Sequence, residues 1–284
     1  KIYDEIYALA NHVALIEEIE ETRKLTKGVI GVNIMYALSD FPSLVRAALK
    51  AKADYIISGA GMPMKLPLYA REVENDYTKL IPIVSSARVV DLICKSWEKY
   101  DSFPDAVVVE GPLAGGHLGY SYEQLADKDF VEHGLERIVK GVIEAVKPYE
   151  QKAGRKIPVI AAGGIFYGGD IRRAIEEWGA AGVQMATRFV TTDECDACPE
   201  FKQGYLDSIE KNIVIIKSPV GMPGRAISIR EDPQDFISRI ESGETIPIAC
   251  PYHCLKTCVP EKSPYCIGNA LSAALEGRFN KGFI

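Results

Sequence analysis

From Gly31 to Phe189 one pattern repeats: a short run rich in Val and Ile ends in glycine or a small polar residue, and a helical pattern follows. The runs are GVNIM at 31–35, DYIISGAG at 54–61, IPIVSS at 81–86, DAVVVEG at 105–111, IPVIAAGG at 157–164 and GVQMATRF at 182–189. Their length and β-branched content predict strands. Between them FPSLVRAALKAK, ARVVDLICKSWEKY, FVEHGLERIVKGVIEAVKPYEQKAG and GDIRRAIEEWGA predict helices. Alternating units of this kind make a parallel sheet with helices outside it, because the crossovers are right-handed. An open doubly wound sheet and a closed barrel both satisfy the alternation. Two features favour the barrel: every strand ends in polar or glycine residues, and the last two end in AAGGI and MATRF, where barrels commonly hold a phosphate. The expectation is an α/β fold, a (β/α)8 TIM barrel without its first two strands, since the chain opens on a helix with no initiating Met. Residues 1–230 are expected to form the barrel and 231–284 a helical, cysteine-containing segment packed on it.

The opening helix is read from Ile2, Ile6, Leu9, Val13 and Ile16, spaced by three and four, with Lys27 and Gly28 as stop signals. Glu17, Glu18, Glu20 and Glu21 form its solvated face, and His12 reads as structural. Hydrophobic residues are 47% and charged residues 25% of the 284, an ordinary globular balance that excludes a disordered or fibrous chain. A net charge of −6 argues against a nucleic-acid surface, so a small-molecule partner is expected. With no apolar run of ~20 residues and no signal-peptide start, the expected location is cytoplasmic and away from membranes, with a homodimer as the candidate assembly.

Gly163 and Gly164 let backbone N–H groups approach an anion with no Cβ in the way, and Asp170 suits the N-cap of the helix that follows. Ala186 and Thr187 end the next strand and complete a candidate phosphate cradle; the alternative is that Gly163-Gly164 is only a tight turn. His117, in GPLAGGHLGY, lies at the mouth of the preceding strand. An imidazole there suits proton transfer or donation to a developing anion, although a lone histidine is more often without function.

Four of the seven cysteines fall as C-x3-C-x3-C-x7-C, at Cys250, Cys254, Cys258 and Cys266. If the segment is helical the first three share one face of it, and Pro251 and Pro260 limit such a helix. The spacing is neither a C-x2-C zinc pair nor a common ferredoxin run, so buried or redox-sensitive thiols are the leading reading and no metal site is assigned. Cys195-x2-Cys198 has redox-motif spacing outside a thioredoxin-like context.

Taken in order, GVNIM, SGAG, VVEGPLAGGHLG, IPVIAAGGI, GVQMATRF and SPVGMPGR resemble the nitronate monooxygenase family, formerly called 2-nitropropane dioxygenases. These are FMN-containing barrels that also include flavin-dependent type II enoyl-acyl carrier protein reductases. The resemblance spans roughly residues 28 to 284. It implies flavin contacts at Asn33, Glu110 and Gly115, a phosphate loop at Gly163 and Gly164, a second phosphate-binding strand end at Gln184, Met185, Ala186 and Thr187, and a catalytic role for His117. Three positions depart from the pattern: Glu110 stands where nitronate monooxygenases usually have Gln, Leu113 where Glu is frequent, and Ala186 where Gly is common. The implied activity is FMN-dependent oxidation of alkyl nitronates with O2. The alternative is reduction of enoyl thioesters with NAD(P)H as electron donor; a non-redox phosphate-binding barrel or a scaffold is the alternative of another class.

Overall fold

The computed structural model describes residues 2–228, 236–246, 248–250 and 252–283. The expected boundary at 230–231, and Pro251, lie outside the described residues. Strands β1 (Gly31–Asn33), β2 (Tyr55–Ser58), β3 (Lys79–Val84) and β4 (Val107–Glu110) come first; β5 (Gly116–His117), β6 (Val159–Ala162), β7 (Gly182–Gln184), β8 (Ile213–Lys217) and β9 (Pro223–Ile227) follow. Six of these form a parallel sheet in the order β1-β2-β3-β4-β6-β7, and β5-β9-β8 form a small antiparallel one.

The parallel sheet is built as the alternation predicts. Val107 and Val109 face outward into the main core, where they meet Val90, Ile93 and Trp97 of α4 (Ala87–Glu98) and Val139 and Val142 of α6 (Lys128–Ala153). Both the strand face and the helix stripe are apolar, and burying each against the other removes them from water at about 25 cal/mol per Å². Ile81, Ala106, Val108 and Ala162 face the other way and pack on one another across β3, β4 and β6. The sheet is therefore curled, a half-barrel with β1 and β7 at its two edges. The short helices α2 (Phe41–Lys50), α3 (Leu66–Glu72), α5 (Tyr122–Ala126), α7 (Gly168–Glu176), α8 (Thr187–Val190), α9 (Pro199–Asp207) and α10 (Phe236–Glu241) punctuate the chain, and α11 (Ile267–Leu275) closes it.

Some expectations need correction. The opening helix α1 (Ile2–Leu25) exists, but Ile6, Leu9 and Val13 are exposed, and among its described side chains Ile19 is the one buried. GVQMATRF is a strand only to Gln184 and then turns into α8, because Ala186 leaves the extended region at φ −127°, ψ −59°. Among the described residues Cys250, Cys254 and Cys258 share no helix: the chain is irregular there apart from a bridge of Leu255 to Leu38. The last core joins Val214, Val220 and Ala226 to Phe236, Tyr265, Ile267 and Phe283. Among the described residues no helix is long and apolar enough to cross a membrane.

Candidate active site

Parallel strands place their carboxyl ends along one rim. Glu110 is level with Ala162, and Ala162 with Gln184, so these three share the inner face at one height. Asn33 ends β1 opposite Ile57 on that same inner face. Ala162 is the small residue between Glu110 and Gln184.

The glycine pair after β6 is bent as its composition permits. Gly163 and Gly164 both have positive φ, +89° and +77°. A Cβ on Gly163 would lie 2.9 Å from the Ala114 nitrogen, and one on Gly164 2.9 Å from Leu113 Cβ. The pair thus brings the loop after β4 against the loop after β6. Among the described residues, the N–H groups of Gly163, Gly164, Met185 and Ala186 donate to no protein acceptor. Four amides free at neighbouring strand ends are the donor set a phosphate needs, and Thr187 adds an exposed hydroxyl residue beside them. Asp170 is not the N-cap: it is the third residue of α7, and its carboxylate accepts from Phe166 N (3.1 Å) and Tyr167 N (2.9 Å). It satisfies the turn before α7 because a carboxylate reaching back is compatible with a helical backbone, whereas the cap residue itself, Tyr167, is extended.

His117 is held in β5, paired with Gly224 of β9. Its Nε2 lies 2.7 Å from Ser218 Oγ. Ser218 Oγ also accepts from Val220 N at 3.2 Å, and if its hydroxyl proton points to the imidazole the neutral ring carries its own hydrogen on Nδ1. Burial lowers the His117 pKa from 6.5, which keeps the ring neutral near pH 7. Gly115 and Gly116 have open space where a Cβ would stand. Arg225 fixes the loop that carries them, donating through Nε to Ala114 O (3.1 Å) and through an Nη to Pro112 O (2.7 Å). Tyr120 Oη donates to Glu110 O at 2.6 Å and ties the far end of the loop to β4.

Nothing local in the sequence assigns a role to Ser218 or Arg225, although SPVGMPGR contains both. The hairpin that presents them is detectable in IVIIK at 213–217 followed by a turn with Gly221 at φ +85°.

Among the described residues no donor to the Glu110 carboxyl is found, and burial raises its pKa from 4.5 to about 7. Because the folded pKa lies above the unfolded one, the associated stability is fully present below 4.5 and is lost as pH rises to about 7. At 1.36 kcal/mol per unit the loss is at most about 3 kcal/mol. In cofactor-free protein, Glu110→Gln is expected to abolish this decline when melting is followed from pH 4.5 to 8. Melting curves of the two proteins that run parallel across the range would refute the assignment.

The chain matches the family described as nitronate monooxygenase over residues 6–274. It is 28% identical over 221 residues to a (3aS,4S,5R,7aS)-5-hydroxy-7a-methyl-1-oxo-octahydro-1H-indene-4-carboxyl-CoA dehydrogenase of Rhodococcus jostii, covering 78% of this chain and 54% of that protein. It is 34% identical over 126 residues to a probable nitronate monooxygenase of Staphylococcus aureus, 44% of this chain and 32% of that one. Among solved structures it is similar to FabK from Thermotoga maritima, with a TM-score of 0.69 at 28% identity, covering 95% of this chain and 71% of that one. The chain spans about half the length of the dehydrogenase it matches.

Proposed function

This chain belongs to the nitronate monooxygenase family, and from that premise we propose that it is an FMN-dependent oxidoreductase that oxidises alkyl nitronates with O2 to carbonyl compounds and nitrite. The observation that carries the reading is the pair of adjacent strand ends, 163–164 and 185–186, whose amides have no protein acceptor among the described residues and which border the loop of His117. The donor set fits FMN. Gly163, Gly164, Met185 and Ala186 would hold its phosphate with Thr187, while Asn33, Glu110 and Gln184 line the inner face and Gly115 leaves room. Bound there, the flavin would supply the electron transfer that no side chain can perform.

The chain's own contribution is binding and orientation. A nitronate is an anion, and a neutral His117 with hydrogen on Nδ1 can donate to its oxygen without the cost of desolvating an imidazolium. Ser218, 2.7 Å from Nε2, is the positioning residue, and by donating to Nε2 it would select this tautomer. Ser218→Ala is expected to lower kcat about tenfold, the effect of one hydrogen bond, and to move the acidic limb of the pH profile; an unchanged profile would remove Ser218 from the account.

A second reading has an observation of its own. Glu110 replaces the usual Gln of nitronate monooxygenases and is more like the enoyl reductases, which favours NAD(P)H-dependent reduction of an enoyl thioester. The similarity to a protein named for a CoA ester and to FabK supports the same reading. Anaerobic mixing of the yellow protein with a nitronate, NADH or NADPH tests both. Bleaching by the nitronate alone supports the first reading, bleaching by a nicotinamide supports the second, and a protein that binds no flavin refutes both.

A further inference from the structure

The chain from His253 to Thr257 belongs to neither sheet, yet its hydrogen bonds reach two separate parts of the rim. At one end it is fastened to the segment leaving β1. Leu255 bridges Leu38, Ser39 N donates to Cys254 O (2.9 Å), Lys256 N donates to Ala37 O (3.0 Å), and Ser39 Oγ donates to His253 O (2.6 Å). The Lys256 ammonium adds a bond to Tyr36 O (2.7 Å) and lies 4.1 Å from the centre of the Tyr36 ring. Asn33, the last residue of β1, is only a few positions before these contacts.

At the other end Thr257 Oγ1 donates to Val220 O at 2.8 Å. Val220 sits in the turn between β8 and β9, where Gly221 N donates to Ser218 O (2.9 Å) and Val220 N to Ser218 Oγ (3.2 Å). That hydroxyl is the one 2.7 Å from His117 Nε2. Contacts therefore run unbroken from Thr257 through Val220 and Ser218 to the imidazole.

The fold has a need for this connection. Among the described residues no strand of the β5-β9-β8 sheet pairs with the parallel sheet, so no backbone ladder sets where the hairpin lies over the half-barrel. Its place depends on ties from individual residues. Arg225 supplies one, to the loop after β4. On the other side, Leu255, Ala37, Leu38 and Val220 share one apolar cluster, with Leu255 and Val220 at 5% and 3% exposure. Apolar burial holds these segments together but is non-directional. A hydrogen bond to a carbonyl has a preferred distance and angle, and the Thr257 hydroxyl provides it at the turn itself. We propose that residues 253–257 are a strap that joins the exit of β1 to the hairpin of His117, and that Thr257 is a positioning residue acting on His117 through Val220 and Ser218. The proposal rests on the role given to His117 above.

The test compares Thr257→Val, which keeps the branched shape and removes the donor, with Thr257→Ser, which keeps the hydroxyl. Turnover of a nitronate should fall about fivefold in Thr257→Val, the effect of one hydrogen bond, and be restored in Thr257→Ser. Because the effect runs through Ser218, the double variant Ser218→Ala, Thr257→Val should be no slower than Ser218→Ala alone. Losses that multiply in the double variant overturn the proposal, as does a Thr257→Val protein that melts earlier while kcat and its pH profile stay unchanged.

A second readout needs no substrate. The chain has four histidines, so the His117 ring is assigned by its absence from the nuclear magnetic resonance spectrum of His117→Ala, and its titration is followed in cofactor-free protein. A ring released from its fixed place meets more water, and its titration should move up toward 6.5 in Thr257→Val. That shift, in a protein that oxidises no nitronate and reduces no enoyl thioester, overturns the reaction and supports the strap; an unmoved titration in an active protein overturns the strap. The wild type decides the matter even if Thr257→Val fails to fold: the amides of Lys256 and Val220 should exchange with solvent as one unit, and rapid exchange at Val220 with Lys256 still protected overturns the proposal.

Discussion

Replacement of His117 by alanine is expected to lower turnover about 10²- to 10⁴-fold, the usual contribution of a positioned acid–base or donor group, while leaving flavin content unchanged. The two effects separate because different parts hold them. The imidazole is fixed by Ser218 on the β8–β9 hairpin, whereas the loop that carries it is fixed by Arg225 and Tyr120 through backbone carbonyls. Truncating the ring removes the donor and leaves those carbonyl bonds in place. The wild-type profile of kcat/KM should fall on the acidic side below 6.5, since burial lowers the His117 pKa from that value, and the limb should vanish in the variant. Steady-state rates across pH, with flavin counted by absorbance, check this. Undiminished turnover, or an acidic limb that survives the substitution, would show that His117 is packed in the loop without acting on substrate.

The central barrel strands are legible because burial on both faces makes them read as a Val and Ile run, as VVVE at 107–110 does, whereas the edge strands GVN and GVQ are only partly buried and are marked by their place in the alternation. The antiparallel strands are not legible. Gly116–His117 is too short to carry a period, and PGRAI at 223–227 contains the proline and glycine that ordinarily argue against a strand. What places His117 is thus a long-range pairing with residues more than a hundred positions away, and local pattern contains no information about it. The opening helix shows the opposite limit. Its spacing of Ile6, Leu9 and Val13 correctly gave a helix, yet period alone cannot say which face meets the fold, and that stripe is exposed. Among the site residues, the glycine pair and the polar strand ends are visible as types, since glycine takes the positive φ values found at 163 and 164 without the strain another residue would bear. Ser218 and Arg225 are not, because a serine and an arginine in a turn are common and acquire a role only from what they touch.

Gly163→Ala should weaken flavin binding about 100-fold, equivalent to about 2.7 kcal/mol. At φ +89° an alanine is strained, by about 1–2 kcal/mol. Its Cβ would also meet the Ala114 nitrogen at 2.9 Å, a backbone atom that cannot rotate away. Relief of both requires the 163–164 turn to open, and this turns its N–H groups from the phosphate and pushes the loop carrying His117 at the same time. Gly168 is the control. It begins α7 at an ordinary φ, and nothing lies within 4 Å of where an alanine methyl would stand, so Gly168→Ala should bind flavin as the wild type does and gain a few tenths of a kcal/mol in stability. Fluorescence titration of FMN into the stripped proteins, together with their melting temperatures, separates lost binding from lost folding. If the Gly163 variant retained its flavin as firmly as the wild type, or if the Gly168 variant lost as much, the phosphate would lie elsewhere, and the glycine pair would serve only to let two loops approach.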